Sequence, residues 1–146
     1  MTTLSQVDGV IAGRGLPVVD IDNAPFFEAA ARGELVIQRC KETGQYQYYP
    51  RAGSVYTMGE IEWVKVAGKG KVYSYTIIRK NPADPAWAPL VPYAVVMVEL
   101  PEGVRIFGNL TGCEAEDVTI GMNVEVYFTA ANEDGTIHLP CWKPAT

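Results

Sequence analysis

Histidine, paired cysteines and long apolar runs are all scarce in this chain of 146 residues, and each scarcity removes a class of function. No stretch reaches the roughly 18 consecutive apolar residues that a membrane-spanning helix needs, and the first residues offer neither the basic start nor the apolar stretch of an export signal. A cytoplasmic protein without membrane contact is expected. The three cysteines, Cys40, Cys113 and Cys141, are odd in number and widely spaced. They fit a reducing compartment and give neither a disulfide scaffold nor an intact metal site. The single histidine, His138, lies between Ile137 and Leu139 and reads as outward-facing on a final strand. With no nucleophile, base and orienting acid in view, no catalytic residue is assigned and no independent activity is expected. Gly68-Lys69-Gly70 is too short to cradle a phosphate and reads as a turn between strands; Asp20 and Asp22 are accounted for by helix capping.

What is present is ordinary globular material: 48% hydrophobic and 20% charged residues, with 14 glycines and 10 prolines spread along the chain. The net charge of −5 is uneven. Eight of the twelve basic residues fall between Arg39 and Lys80 against three acids, so that segment carries +5 and the remainder −10. It reads either as a basic patch for an anionic ligand or as a solvated surface of uneven charge.

Four glycine and proline positions, Gly9, Gly13, Gly15 and Pro17, break any period in the opening stretch, so residues 1–23 are expected to be an arm that is ordered only where it lies on something. Asn23 as cap, Pro25 in the first turn and Gly33 as stop predict a short helix over residues 24–32. A helix this short is unstable alone, so Phe26, Phe27 and Ala30 must dock on a neighbour. A strand-like pattern follows from Glu34 to Arg39, then a loop-rich knot holding Tyr46, Tyr48, Tyr49 and Tyr56, then a strand from Ile61 to Val66.

From Lys71 onward the pattern is β throughout. Strands are predicted over residues 72–80, 93–100 and 104–110, then around Val124, Val126 and Phe128, then around Ile137, Leu139 and Cys141 after an Asp134-Gly135 turn. The one stretch of helical character, Glu114 to Val118, falls between the third and fourth strands, where a five-stranded OB barrel has its crossover. The expected fold is therefore mainly β: residues 24–66 form a helix and a small ribbon, and residues 67–146 form an OB-type barrel. A proline-stiffened loop from Asn81 to Pro92 links the first two barrel strands and presents Trp87 as a candidate binding element.

The segments Phe26 to Leu35, Pro50-Arg51, Lys71-Val72-Tyr73-Ser74-Tyr75-Thr76, Gly121-Met122-Asn123-Val124 and Leu139-Pro140 occur in an order and spacing that resembles the acyl-CoA-associated proteins long called domain of unknown function thirty-five. That family joins an N-terminal helix, a rubredoxin-like zinc ribbon and an OB fold. In it two Cys-x-x-Cys pairs hold zinc, and the resemblance lays them on Cys40, Thr43, Ser54 and Thr57. One thiol and three neutral hydroxyls do not make a structural zinc site, so no zinc is expected. The four tyrosines are expected to take over the structural work of the metal.

The resemblance also implies a non-catalytic accessory subunit in a hetro-oligomer with a thiolase-like, aldolase or hydratase-type enzyme, with an acyl-CoA thioester as a shared ligand and no tightly bound cofactor. Lys69, Lys71, Arg79, Lys80 and Trp87 are the candidate contacts to coenzyme A, whose phosphates and adenine suit cations beside an aromatic ring. The alternative is a single-stranded nucleic-acid-binding OB module using Tyr73, Tyr75, Arg79 and Lys80. A sequence pI near 4.8 weighs against it.

Overall fold

The structure, a computed structural model, describes Leu4 and residues 9–145; residues 1–3 and 5–8 of the predicted arm, and residue 146, lie outside it. Helix α1 spans Ala24–Ala31 with Pro25 in its first turn, and it buries Phe26, Phe27, Ala29 and Ala30. Asn23 precedes it but makes no side-chain cap. Its amide donates instead to the carbonyl of Val18 and to the Tyr49 hydroxyl, while the Asp20 carboxylate accepts the N–H groups of Asp22 and Asn23. These polar side chains therefore fix the approach of the arm rather than the helix end.

Strands β1 (Leu35–Cys40), β2 (Tyr46–Gln47) and β3 (Ile61–Val66) form a small antiparallel sheet in the order β2-β1-β3. The barrel follows, with β4 (Lys69–Ile78), β5 (Tyr93–Glu99), β6 (Arg105–Leu110), β7 (Asn123–Ala130) and β8 (His138–Pro144) closed in the order β4-β5-β6-β8-β7. The start of β4, Lys69 to Lys71, pairs with β7, and β5 pairs with the same strand from Lys71 to Ile78 across a bulge between Val72 and Ser74. The parallel contact of Leu110 with Trp142 completes the circuit. Five strands in this order, with a 3-10 turn (Ala115–Asp117) between β6 and β7, are the OB arrangement.

The expected Gly68-Lys69-Gly70 turn is not one. Lys69 and Gly70 already lie in β4, so only Ala67 and Gly68 separate ribbon from barrel. Gly68 has φ of 73°, and a Cβ there would come within 2.3 Å of Val126 Cγ1, so this corner requires glycine twice over. The same strand ends at Ile78, leaving Arg79 and Lys80 beyond it.

Alternation on each strand sends Val72, Val96, Val98, Ile106, Leu110, Val124 and Trp142 into the barrel, and Phe26, Phe27, Leu35, Ile37 and Val66 continue the same apolar cluster into the ribbon. Ribbon and barrel thus share one core. A second small cluster packs Leu4 of the arm against Leu90 and Tyr93, with Ile11 and Trp87 at its edge, so the arm does lie on the barrel. Trp87, expected to be an exposed loop element, is half-buried here, its ring 4.9 Å from that of Tyr93. His138 is also half-buried rather than outward-facing, and its Nδ1 is shut from solvent without a hydrogen-bond partner. No helix among the described residues is long and apolar enough to cross a membrane.

Candidate functional site

The ribbon retains two knuckle-like turns. In the first, the Gly44 N–H donates to the Cys40 carbonyl at 2.8 Å and the Cys40 N–H to the Gln45 carbonyl at 2.8 Å. In the second, the Met58 N–H donates to the Ser54 carbonyl and the Ser54 N–H to the Gly59 carbonyl, both at 2.9 Å. The turns bring Cys40, Thr43, Ser54 and Thr57 together. Ser54 Oγ accepts the N–H groups of Tyr56 and Thr57 at 3.0 and 3.2 Å, and Thr57 Oγ1 lies 3.7 Å from Cys40 Sγ. The hydroxyls of Ser54, Thr43 and Thr57 hold the Cys40 thiol below its ordinary pKa, against the opposing effect of burial. One thiol and three alcohols offer zinc a single anionic donor, and no cluster of three or more His, Cys, Asp or Glu exists among the described residues. The residues present do not fit the ion.

What packs the ribbon differs from the expectation that tyrosines do so alone. Tyr48 is pressed against Phe26 with ring centres 5.8 Å apart, and burial raises the pKa of its hydroxyl. The Tyr56 hydroxyl donates to the Tyr46 carbonyl at 2.7 Å. Behind them, however, lie two buried glutamines that sequence reasoning missed. Gln38 closes a two-bond ring with the backbone of Arg51, its Nε2 donating to the carbonyl and its Oε1 accepting the N–H, each at 2.8 Å. Gln47 donates to Gln38 Oε1 at 2.8 Å and to the Gly53 carbonyl at 3.1 Å, and accepts the Val55 N–H at 2.9 Å. An amide on a strand reads the same whether it faces in or out, so the sequence carried no signal for this pair.

The basic segment does not become a basic patch. Arg39 pairs with Glu62, Lys41 with Glu60, Lys65 with Glu34 and Arg79 with Glu116, two of these acids within the segment's own ribbon strand or its approach. Arg51, Lys69, Lys71 and Lys80 are left without an ion pair among the described residues. Of the five candidate coenzyme A contacts, the structure brings together only Lys69 and Lys71, which stand two apart on β4 at a groove of about 430 Å³ with Leu100, Pro101 and Val124. Arg79 is occupied by its bidentate pairing with Glu116, and Trp87 lies under the arm with the Arg14 guanidinium 5.0 Å above its ring. The exposed Tyr73 is likewise covered by Arg105, which is itself paired with Glu99. Of the four residues named for single-stranded nucleic acid, Tyr73 and Arg79 are thus engaged within the chain, while Tyr75 and Lys80 stand exposed.

Two surfaces stand out for what they expose. At the ribbon tip Met58 is 91% exposed with φ of 63°, beside exposed Val55 and Tyr56. On the arm Val18 and Ile21 are 82% and 90% exposed. An apolar side chain held in left-handed backbone and presented to water lowers stability by about 1–2 kcal/mol. Such strain is characteristic of positions kept for contact.

Comparison with known proteins places these features. The family model for the ChsH2 rubredoxin-like zinc ribbon domain matches residues 27–53, and that for the ChsH2 C-terminal OB-fold domain matches residues 63–129. A DUF35 domain-containing scaffold protein of Methanocaldococcus jannaschii is 39% identical over 103 residues, 69% of this chain and 72% of that protein. The chain belongs to the DUF35 family. A solved structure described as the Ltp2-ChsH2(DUF35) aldolase contains a chain 36% identical, matched over 90% of this protein and 100% of that chain with a TM-score of 0.79. A probable enoyl-CoA hydratase alpha subunit of Thermomonospora curvata is 39% identical over 134 residues, but this DUF35 chain spans only 40% of its length.

Proposed function

We propose that this DUF35 protein is a non-catalytic accessory subunit that assembles with an aldolase-, hydratase- or thiolase-type enzyme acting on acyl-CoA thioesters. The observation that carries the reading is the match, over 90% of this chain, to a chain of the structure described as the Ltp2-ChsH2(DUF35) aldolase. Support from the chain itself is that the apolar side chains of Val55, Tyr56 and Met58 stand exposed at the ribbon tip. The occupant of that tip is the enzyme subunit. In the finer reading, Lys69 and Lys71 meet phosphate oxygens of coenzyme A at the edge of their groove, where neither is held in an ion pair among the described residues although Glu125 and Glu99 stand opposite them on the neighbouring strands.

Co-expression with candidate aldolase-, hydratase- and thiolase-type subunits from the same genome, followed by size-exclusion chromatography and assay, tests the assignment. A stable hetero-oligomer whose turnover collapses when this chain is left out is expected; a full-activity enzyme that never co-elutes with it overturns the proposal. Within that complex, Lys69→Glu with Lys71→Glu is expected to raise KM for the thioester with little change in kcat, and an unchanged KM removes the lysines from the ligand site.

A further inference from the structure

We propose that the ribbon of this chain holds its shape without metal, the ion being replaced by a hydrogen-bonded cluster at the four ligand positions and by the Gln38–Gln47 amide pair behind them. A zinc ion in a ribbon ties two turns to one point. Here each turn is closed by its own backbone bonds, and the tie between them is polar: Thr57 Oγ1 reaches Cys40 Sγ across 3.7 Å, and Ser54 Oγ, having accepted two N–H groups, keeps its own proton to donate. Behind the turns, five hydrogen bonds run from the two glutamine side chains to Arg51, Gly53, Val55 and each other. Both glutamines are 5% exposed or less, so these bonds form where unpaired amides would be costly. A metal-free ribbon thus keeps the spacing of a metal site. That gives the test.

Metal is counted by mass spectrometry on the full chain purified from zinc-supplemented medium, and thermal midpoints are taken with and without chelator. The natural chain is expected to carry no stoichiometric zinc and to be indifferent to chelator. The variant T43C/S54C/T57C is expected to hold one zinc per chain and to melt lower when it is stripped. Stoichiometric zinc in the natural chain, or a chelator-dependent midpoint, overturns the proposal; a triple variant that folds but takes up no metal overturns the claim that the ligand geometry is retained.

A second, independent observation concerns the cleft between ribbon, barrel and arm. We infer that this cleft, of about 300 Å³, is a binding site for an apolar monocarboxylate, with Arg14 as its anion-binding group. Its walls are Phe26, Phe27, Tyr48, Phe107 and Leu139. Arg14 reaches into it from the arm, half-buried, its guanidinium 5.0 Å from the centre of the Trp87 ring, with Nε shut from solvent and without a hydrogen-bond partner, and with no ion pair among the described residues. A half-buried cation met only by an aromatic face still lacks a full counter-charge, and burial already holds the Arg14 guanidinium below its ordinary pKa. An apolar wall with one cation lacking an ion pair selects a chain ending in a carboxylate over a neutral chain of the same length.

Calorimetric titration of the full chain with octanoate and with octan-1-ol decides it. Octanoate is expected to bind at least about tenfold more tightly than the alcohol, the difference vanishing in Arg14→Met and surviving in part in Arg14→Lys. Equal affinities, binding of neither ligand, or an Arg14→Met variant that still prefers octanoate each overturn the assignment.

Discussion

The barrel and the ribbon share one apolar cluster yet are held by different chemistry. The barrel interior is closed by aliphatic side chains around Trp142, fully buried, so its stability comes from area removed from water. The ribbon is too small for that, and its loop is fixed by polar side chains aimed at backbone, Gln38 and Gln47 foremost. Packing tolerates approximate fits. A hydrogen-bonded knot fails when one member is removed, because its partners are left unpaired out of water.

Four substitutions set that contrast to the test, in descending size. Trp142→Ala empties the barrel centre and is expected to lower stability by about 4 kcal/mol in urea unfolding, with ribbon and barrel lost in a single transition because the core is shared. Separate transitions would break the single-core account. Gly68→Ala forces a Cβ against Val126 at a left-handed corner and is expected to cost about 3 kcal/mol in the same assay; a loss below half of that would mean the corner relaxes freely. Gln38→Ala is expected to cost about 2 kcal/mol and to act locally. Hydrogen exchange should quicken at the Arg51 and Val55 amides while Val96 and Ile106 keep their protection; equal quickening in both would erase the distinction between the two regions. Met58→Gly is expected to raise the stability of the isolated chain by about 1 kcal/mol while weakening its complex with the enzyme subunit. If the complex tightens instead, the ribbon tip is not the contact.

The barrel was largely legible in the sequence because alternation on Val72, Val96, Ile106, Val124 and their neighbours reports burial directly, and the Asp134-Gly135 turn marks a chain reversal. The helix was equally plain, its Asn-x-Pro start and Gly33 stop agreeing with Ala24–Ala31 to within a residue. The site was less so. Lys69 and Lys71 meet at one groove because residues two apart on a strand share a face, but Arg79 and Trp87 were drawn away by Glu116 and Arg14, neighbours distant in sequence. The cation-rich segment misled for the same reason, its charges being met by Glu34, Glu62 and Glu116 across the fold. The Gln38–Gln47 amide pair left no trace in the sequence, since what distinguishes Gln38 from a solvent-facing glutamine is where β1 sits.

The two-residue joint at Ala67 and Gly68 has a mechanical consequence. With the Gly68 carbonyl accepting the Val126 N–H at 2.8 Å, and Lys69 to Lys71 paired to β7 immediately after, β3 and β4 behave as one beam with a crease clamped at its fold. A partner that grips the ribbon tip therefore has a stiff handle on the barrel. Its orientation is transmitted to the Lys69–Lys71 groove without the slack of a hinge.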